Sequence, residues 1–209
     1  MRFRILILVS LLTFSGALRA AEPVDEPVRV VQSTADTVLG TLRQQRVTLQ
    51  AEPAKVYRLV DELLVPHVDF ARLSSLVLGR HWRTASPDQR ERFSSEFKRL
   101  LVRTYATGLL ELDTWEIRYP PQRVAADADD VVVHSELMRS GAQPVPVDYR
   151  MYRANGRWRV YDVSIDGVSF ASTYRNSFDA EVRQVGIDGL INRLGELNAQ
   201  RTGGSRPAG

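Results

Sequence analysis

Residues 145–165 read VPVDYRMYRANGRWRVYDVSI, and this stretch decides the fold. Two runs of alternating character flank Asn155-Gly156, the dipeptide best suited to a two-residue type I′ turn, where both positions take positive φ. With these two residues as the loop, Arg153 faces Trp158, Met151 faces Val160 and Tyr149 faces Asp162. One face of the hairpin then holds Val147, Tyr149, Met151, Trp158, Val160 and Asp162. The other holds Asp148, Arg150, Tyr152, Arg159 and Tyr161, and is far more polar. A covered face and a wet face are what an antiparallel sheet with helices on one side requires. Asp162 is the exception on the covered face.

The pattern extends upstream of the hairpin. Val131, Val133, Ser135 and Leu137 alternate with Val132, His134 and Glu136, and Trp115, Ile117 and Tyr119 alternate with Glu116 and Arg118. Four antiparallel strands are therefore expected. Before about Leu112 the period is helical. Val28, Val31, Ala35, Val38, Leu39 and Leu42 recur at helical spacing from Pro27 to Arg46. Pro53 opens a second helix with Val56, Leu59, Val60 and Leu63, halted by Pro66, and Asp69 caps a third that ends at Gly79. Ser86, Pro87 and Gln89 form a capping box ahead of a helix bearing Phe93, Phe97, Leu100, Leu101, Tyr105 and Leu109. A last helical region starts near Ser169 and pauses at Gly186. Helices, then strands, then helix make an α+β fold, with helices packed on one face of a four-stranded antiparallel sheet.

The N-terminus carries an address. Arg2 and Arg4 precede the apolar run from Ile5 to Leu12, and Ser15, Gly16, Ala17 and Ala20 follow as small residues. This is the order of a secretory signal peptide, and the run is too short to span a bilayer. Residues 1–20 are read as the signal, with cleavage after Ala20 or, alternatively, after Ala17. Residues 21–199 are read as one domain, and 200–209, rich in Gly, Arg and Pro, as a disordered tail. Loss of Arg2, Arg4 and Arg19 from a total of 28 cations leaves 25, equal to the 25 acidic residues. The basic pI near 9.4 thus belongs to the signal, and no surplus of cations remains for a nucleic-acid partner. Cysteine is absent, which excludes thiolate metal sites, cysteine nucleophiles and a lipidated N-terminal cysteine.

No catalytic array stands out. His67, His81 and His134 lack ligand-like spacing, so no metal site is expected, and there is no phosphate loop, nucleophile elbow or zinc-protease motif. Asp162 beside Tyr149 could act as an acid or base if burial raised its pKa, or it could be satisfied by backbone and hydroxyl donors. Arg175 could touch an anionic headgroup or form a local ion pair.

Specific residues carry the reading further. The runs Trp158-Arg159-Val160-Tyr161-Asp162-Val163, Ile165-Asp166-Gly167-Val168-Ser169-Phe170 and Tyr174-Arg175-Asn176-Ser177-Phe178 resemble the MlaC family of periplasmic phospholipid carriers, also called toluene-tolerance proteins. Asp69-Phe70, Leu78-Gly79-Arg80-His81-Trp82, Gln89-Arg90 with Phe93 and Phe97, Tyr105, and Gly186-Ile187-Asp188-Gly189-Leu190-Ile191 are similar to the same family in the same order. The likeness spans residues 28–198. It implies a fold related to NTF2-like domains, with an apolar cavity between sheet and helices. It also implies phospholipid as cargo, no cofactor and no catalysed reaction. The implied partners are an outer-membrane lipoprotein complex and an inner-membrane ABC transporter with its lipid-binding ring, in a pathway that maintains outer-membrane lipid asymmetry.

In such a cavity the expected lipid-binding residues are Leu101, Tyr105, Leu109, Val133, Val147, Tyr149, Met151, Val160, Val163 and Tyr174. Arg150, Arg159 and Arg175 are the expected headgroup or partner contacts, with Arg153 near the hairpin end. Two other classes are weighed beside the carrier: an exported NTF2-like enzyme using the Asp162–tyrosine pair, and an adaptor that binds other proteins.

Overall fold

Capping chemistry sets the helix boundaries. A computed structural model describes residues 26–125 and 127–200; the proposed signal segment and residues 201–209 lie outside the described residues. Helix α1 (Glu26–Gln44) is followed by a separate short α2 (Arg46–Ala51), where the sequence pattern suggested one helix to Arg46. Helix α3 (Pro53–Leu63) has its proline at the first helical position and gives way to a 3₁₀ turn, Val65–His67, that includes Pro66. Helix α4 (Phe70–Leu78) starts where the Asp69 carboxylate accepts from the Arg72 N–H at 2.9 Å. After Gly79 comes α5 (Arg80–Thr84), one turn that the sequence pattern did not reveal.

Helix α6 (Pro87–Tyr105) opens on the expected capping box: the Gln89 N–H donates to Ser86 Oγ at 3.1 Å, and the Ser86 N–H donates to Gln89 Oε1 at 3.0 Å. Its apolar stripe was expected to run to Leu109. The α-helix instead ends at Tyr105, and Ala106–Thr114 continues as tighter 3₁₀ turns.

The sheet has five strands, in the order β1 (Glu116–Arg118), β2 (Asp130–Met138), β3 (Val145–Ala154), β4 (Arg157–Ile165) and β5 (Val168–Ser169), all antiparallel. The four-strand expectation missed β5. Asp166-Gly167 makes a second turn with two positive φ values, 52° and 77°, like the 50° and 74° of Asn155-Gly156. Both pairs are among the dipeptides that tolerate this geometry. The return strand is only two residues long, so it leaves no period to read.

The hairpin register departs from the expectation in its lower half. Arg153 faces Trp158 and Met151 faces Val160, as expected, but a bulge follows. Tyr149 then faces Val163, and Asp162 faces Arg150. The extra residue is Tyr161, which turns to the side of Tyr152 and Arg150. There the ring of Tyr152 lies edge-on at 5.8 Å, and the guanidinium of Arg72 stacks 3.8 Å from the Tyr152 centroid and 4.2 Å from that of Tyr161. The second face is therefore not uniformly wet: Tyr161 is only 2% exposed. A bulge adds one residue to one strand, so every alternation beyond it is displaced by one position.

Helix α7 (Phe170–Gln200) is broken at Gly186, whose φ of 75° and ψ of 174° are not helical. The break falls where the sequence pattern pauses. Alternation of large side chains fills three apolar clusters. The largest joins Leu73 and Val77 of α4, Phe93, Phe97, Leu100 and Leu101 of α6, and Phe178, Leu190 and Leu194 of α7. A second joins Val38, Leu39 and Leu42 of α1 to Leu49, Val56, Leu59 and Val60. The third sets Val28 and Val31 of α1 on Val133, Met151, Trp158 and Val160 of the sheet.

Gly186 supplies a direct test of this arrangement. No atom lies within 4 Å of where its Cβ would be, so space does not forbid a side chain there, but its backbone region is essentially reserved for glycine. Gly186→Ala is expected to lower the unfolding free energy by about 1–3 kcal/mol in urea titration. An unchanged midpoint would show that the two halves of α7 do not need this break.

Candidate functional site

The alternation of β2, β3 and β4 brings six of the expected lipid-binding side chains to one face. Val133 and Met151 are fully buried, Val147 and Val160 nearly so, and Tyr149 and Val163 are half-buried. The N-terminal half of α1 lies over them through Val28 and Val31. Burial raises the pKa of Tyr149, against a smaller opposing effect of a hydrogen bond with Ser135, so its hydroxyl stays protonated. The Tyr119 pKa is raised as well, by burial first and then by Tyr149 and Asp36.

The helical members do not gather on that face. Leu101 is buried in the α4–α6–α7 cluster, Leu109 packs against the α1–α3 cluster, and Tyr105 is 39% exposed at the end of α6. Tyr105 stacks on Phe170 at 4.9 Å, and its hydroxyl lies 3.4 Å from that of Tyr174, which packs edge-on against Phe97 at 5.1 Å. The expected lining thus belongs to separate packing units, because the α-helix gives way to 3₁₀ turns after Tyr105 and the stripe changes direction there.

Two open pockets lie elsewhere. One, of about 600 Å³, is lined by residues including Asp69, Phe70, Tyr152, Arg157 and Arg159 beside the hairpin turn. The other, of about 490 Å³, lies between α6 and α7 along Arg92, Glu96, Ile191 and Asn192.

The expected headgroup arginines are placed apart. The Arg150 guanidinium sits 5.0 Å from the Tyr161 centroid, and Arg159 Nη2 donates to the Val68 carbonyl at 3.1 Å. Arg153 stacks on Trp158 at 5.0 Å. Arg175 lies across Gly79, where an added Cβ would come within 3.0 Å of its Nη2. The local ion pair weighed for Arg175 is instead built around Asp179, which binds Arg80 at 3.0 Å, His81 at 2.7 Å and Arg183 at 2.6 Å.

That cluster predicts a pH dependence. The hydrogen bond from His81, and then the charges of Arg183 and Arg80, hold the Asp179 carboxyl below its ordinary 3.8 despite partial desolvation. A depressed folded pKa gives stability that is present above the ordinary value and is lost as pH falls through the folded one. Urea midpoints are therefore expected to drop more steeply below about pH 4 in the native protein than in Asp179→Asn. Parallel profiles would remove Asp179 from the acid response.

Asp162 is satisfied by backbone and hydroxyl donors. It is 3% exposed, and its two oxygens accept from the Val163 N–H at 3.0 Å, the Ala171 N–H at 3.1 Å and Ser169 Oγ at 2.6 Å. It ties the end of β4 to the start of α7. The Asp162–Tyr149 pair of the enzyme alternative is not formed, since Tyr149 faces Val163.

Sequence reading missed a second polar network. Tyr161 Oη donates to Asp130 at 2.8 Å, Arg72 Nη2 donates to Asp130 at 2.8 Å, and Tyr152 Oη donates to Asp69. These residues are spread over four elements, α4, β2, β3 and β4, and the bulge that aligns them has no local signature beyond the adjacent pair Val160-Tyr161. Among the described residues no group of three or more His, Cys, Asp or Glu side chains is arranged to hold a metal, and no helix is long and apolar enough to cross a membrane.

Comparison with known proteins follows the same outline. A family model described as MlaC protein matches residues 32–196. The toluene tolerance protein ttg2D of Pseudomonas putida is 29% identical over 163 residues, covering 78% of this chain and 75% of its own. The intermembrane phospholipid transport system binding protein MlaC of Haemophilus influenzae is 24% identical over 197 residues, covering 93% and 92%. A phospholipid-binding protein from Ralstonia solanacearum, solved in complex with a phospholipid, superposes with a TM-score of 0.77 at 36% identity, covering 85% of this chain and 99% of that one.

Proposed function

The chain belongs to the MlaC family, and from that premise we propose that it is a periplasmic phospholipid carrier, exported by a signal peptide cleaved near Ala20. It takes lipid between an outer-membrane lipoprotein complex and an inner-membrane ABC transporter with a lipid-binding ring, and leaves the lipid chemically unchanged. The observation that carries the reading is the 36% identical structure of the same fold solved with a phospholipid bound. The apolar face of β2, β3 and β4 supports it. We assign Val133, Val147, Tyr149, Met151, Val160 and Val163 as the acyl-chain surface, with α1 as the cover that moves when chains enter. Leu101, Tyr105, Leu109 and Tyr174 are assigned to the far wall of the opened, NTF2-like cavity, and Arg150, Arg159 and Arg175 to headgroup or partner contacts.

Energetics explain the need for such a protein. Each methylene removed from water is worth about 0.8 kcal/mol, so two chains with about 28 methylenes gain on the order of 20 kcal/mol on burial. Unassisted escape of a phospholipid from a bilayer is correspondingly slow. A carrier has to match that gain with an apolar interior while leaving the headgroup wet.

Lipid extraction and denaturing mass spectrometry of protein purified from a Gram-negative periplasm test the reading. One diacyl phospholipid or more per chain is the expected result, together with a mature N-terminus near residue 21. Protein that emerges without lipid, and takes up none from vesicles, would overturn it.

A further inference from the structure

The face assigned to acyl chains is not wholly apolar. Tyr119 directly follows β1, and the β1–β2 register carried one residue on sets it opposite Ser135. Gln122 holds this segment along β2, donating to the His134 carbonyl at 2.9 Å and accepting from the His134 N–H at 2.8 Å. Ser135 faces Val147, one alternation from Tyr149 on the neighbouring strand. Three hydroxyl side chains therefore share one face among the valines.

The Tyr119 hydroxyl is buried and has no hydrogen-bond partner among the described residues, although its ring packs against the α1–sheet cluster. Thr34 Oγ1 is buried in the same unpartnered condition. Thr34 lies on the inward stripe of α1 between Val31, which belongs to the sheet cluster, and Val38, which belongs to the α3 cluster. The two apolar clusters thus part at the level of α1 where unpartnered hydroxyls lie. A buried hydroxyl without a partner loses its hydration and regains nothing, so each such group calls for an explanation.

Resting on the carrier reading, we propose that Tyr119, with Tyr149 beside it, is a hydrogen-bond site for the ester carbonyl oxygens of a bound diacyl lipid. Chemistry favours the ester over the phosphate. Both phenols stay protonated because burial raises their pKa, so they are available as donors. Asp36 on α1 is close enough to raise Tyr119 further, and that carboxylate would repel an anionic phosphate while leaving a neutral carbonyl unaffected. The ester linkage is also the one part of a phospholipid that is polar, uncharged and joined directly to the acyl chains. It belongs at the border between the apolar sheet face and the wet mouth.

The test compares a diacyl phosphatidylethanolamine with its dialkyl-ether analogue, which has the same chains and headgroup but no carbonyl oxygens. Affinities are measured by competition on native protein and on Tyr119→Phe. Native protein is expected to prefer the ester by about three- to tenfold, and Tyr119→Phe to lose most of that preference, Tyr149 alone remaining as donor. The lipid-free Tyr119→Phe protein is expected to melt no lower than the native one, because the removed hydroxyl has no protein partner. A structural role for Tyr119 would lower the melting point and leave the ester preference intact, which overturns the assignment. Absence of any ester preference in native protein that binds both lipids overturns it too. Failure of native protein to bind either lipid defeats the carrier reading itself, and the assignment with it.

Discussion

Val147→Glu is expected to leave the purified protein without phospholipid. Val147 is 4% exposed in β3, paired with Ser135 on one side and Ile165 on the other, in the middle of the proposed acyl-chain surface. An unpaired carboxylate in such a place loses its hydration without compensation, an effect of several kcal/mol even after the surroundings relax. A penalty of about 3–5 kcal/mol on the lipid-bound state corresponds to a loss of occupancy of two orders of magnitude or more. The same charge also destabilises the lipid-free fold, so occupancy is read only on variants that fold. Val147→Leu, which keeps the surface apolar, is expected to retain lipid. Circular dichroism identifies variants that fold, and lipid extraction gives the occupancy. Full occupancy in folded Val147→Glu would remove Val147 from the acyl-chain surface.

Lipid transfer is expected to depend on a docked partner. If the interior matches the roughly 20 kcal/mol that two chains gain on leaving water, release into solution has a prohibitive barrier. A route in which the chains never cross water removes most of it. The proposed mature chain, with equal numbers of acidic and basic residues, has no long-range attraction to anionic membranes, so recognition has to come from local patches on protein partners. Movement of labelled phospholipid from the carrier into protein-free liposomes should therefore be slow, with a large acceleration on adding liposomes that contain the inner-membrane complex. Rapid exchange with bare liposomes, unaffected by the complex, would contradict a docking requirement.

Much of this was legible in the residues. The capping box at Ser86 to Gln89, the N-cap at Asp69 and the Asn155-Gly156 turn are local, since each depends on neighbours within three or four positions. So is the alternation that buries Val133, Val147 and Met151. Family-level function was legible too, in the order of short runs from Asp69-Phe70 to Ile187-Asp188-Gly189-Leu190.

Other features required the chain to be folded. The bulge at Tyr161 displaces Asp162 from the position opposite Tyr149 to one opposite Arg150, and a bulge is set by what packs on both strands at once, here Arg72 over two tyrosine rings. The fate of Asp162, tied to Ser169 and Ala171 at the start of α7, depends on a turn that brings β5 back onto β4. Nor does periodicity tell a helix that covers a sheet from one that packs on other helices. Val31 and Leu101 carry the same helical signal, yet one lies on the sheet and the other among α4, α6 and α7. By itself the sequence determined most of the apolar residues that are inside, with buried Tyr161 and exposed Tyr105 as exceptions. Only the tertiary structure decided what each one touches, because that depends on contacts between segments tens of residues apart, which local spacing does not encode.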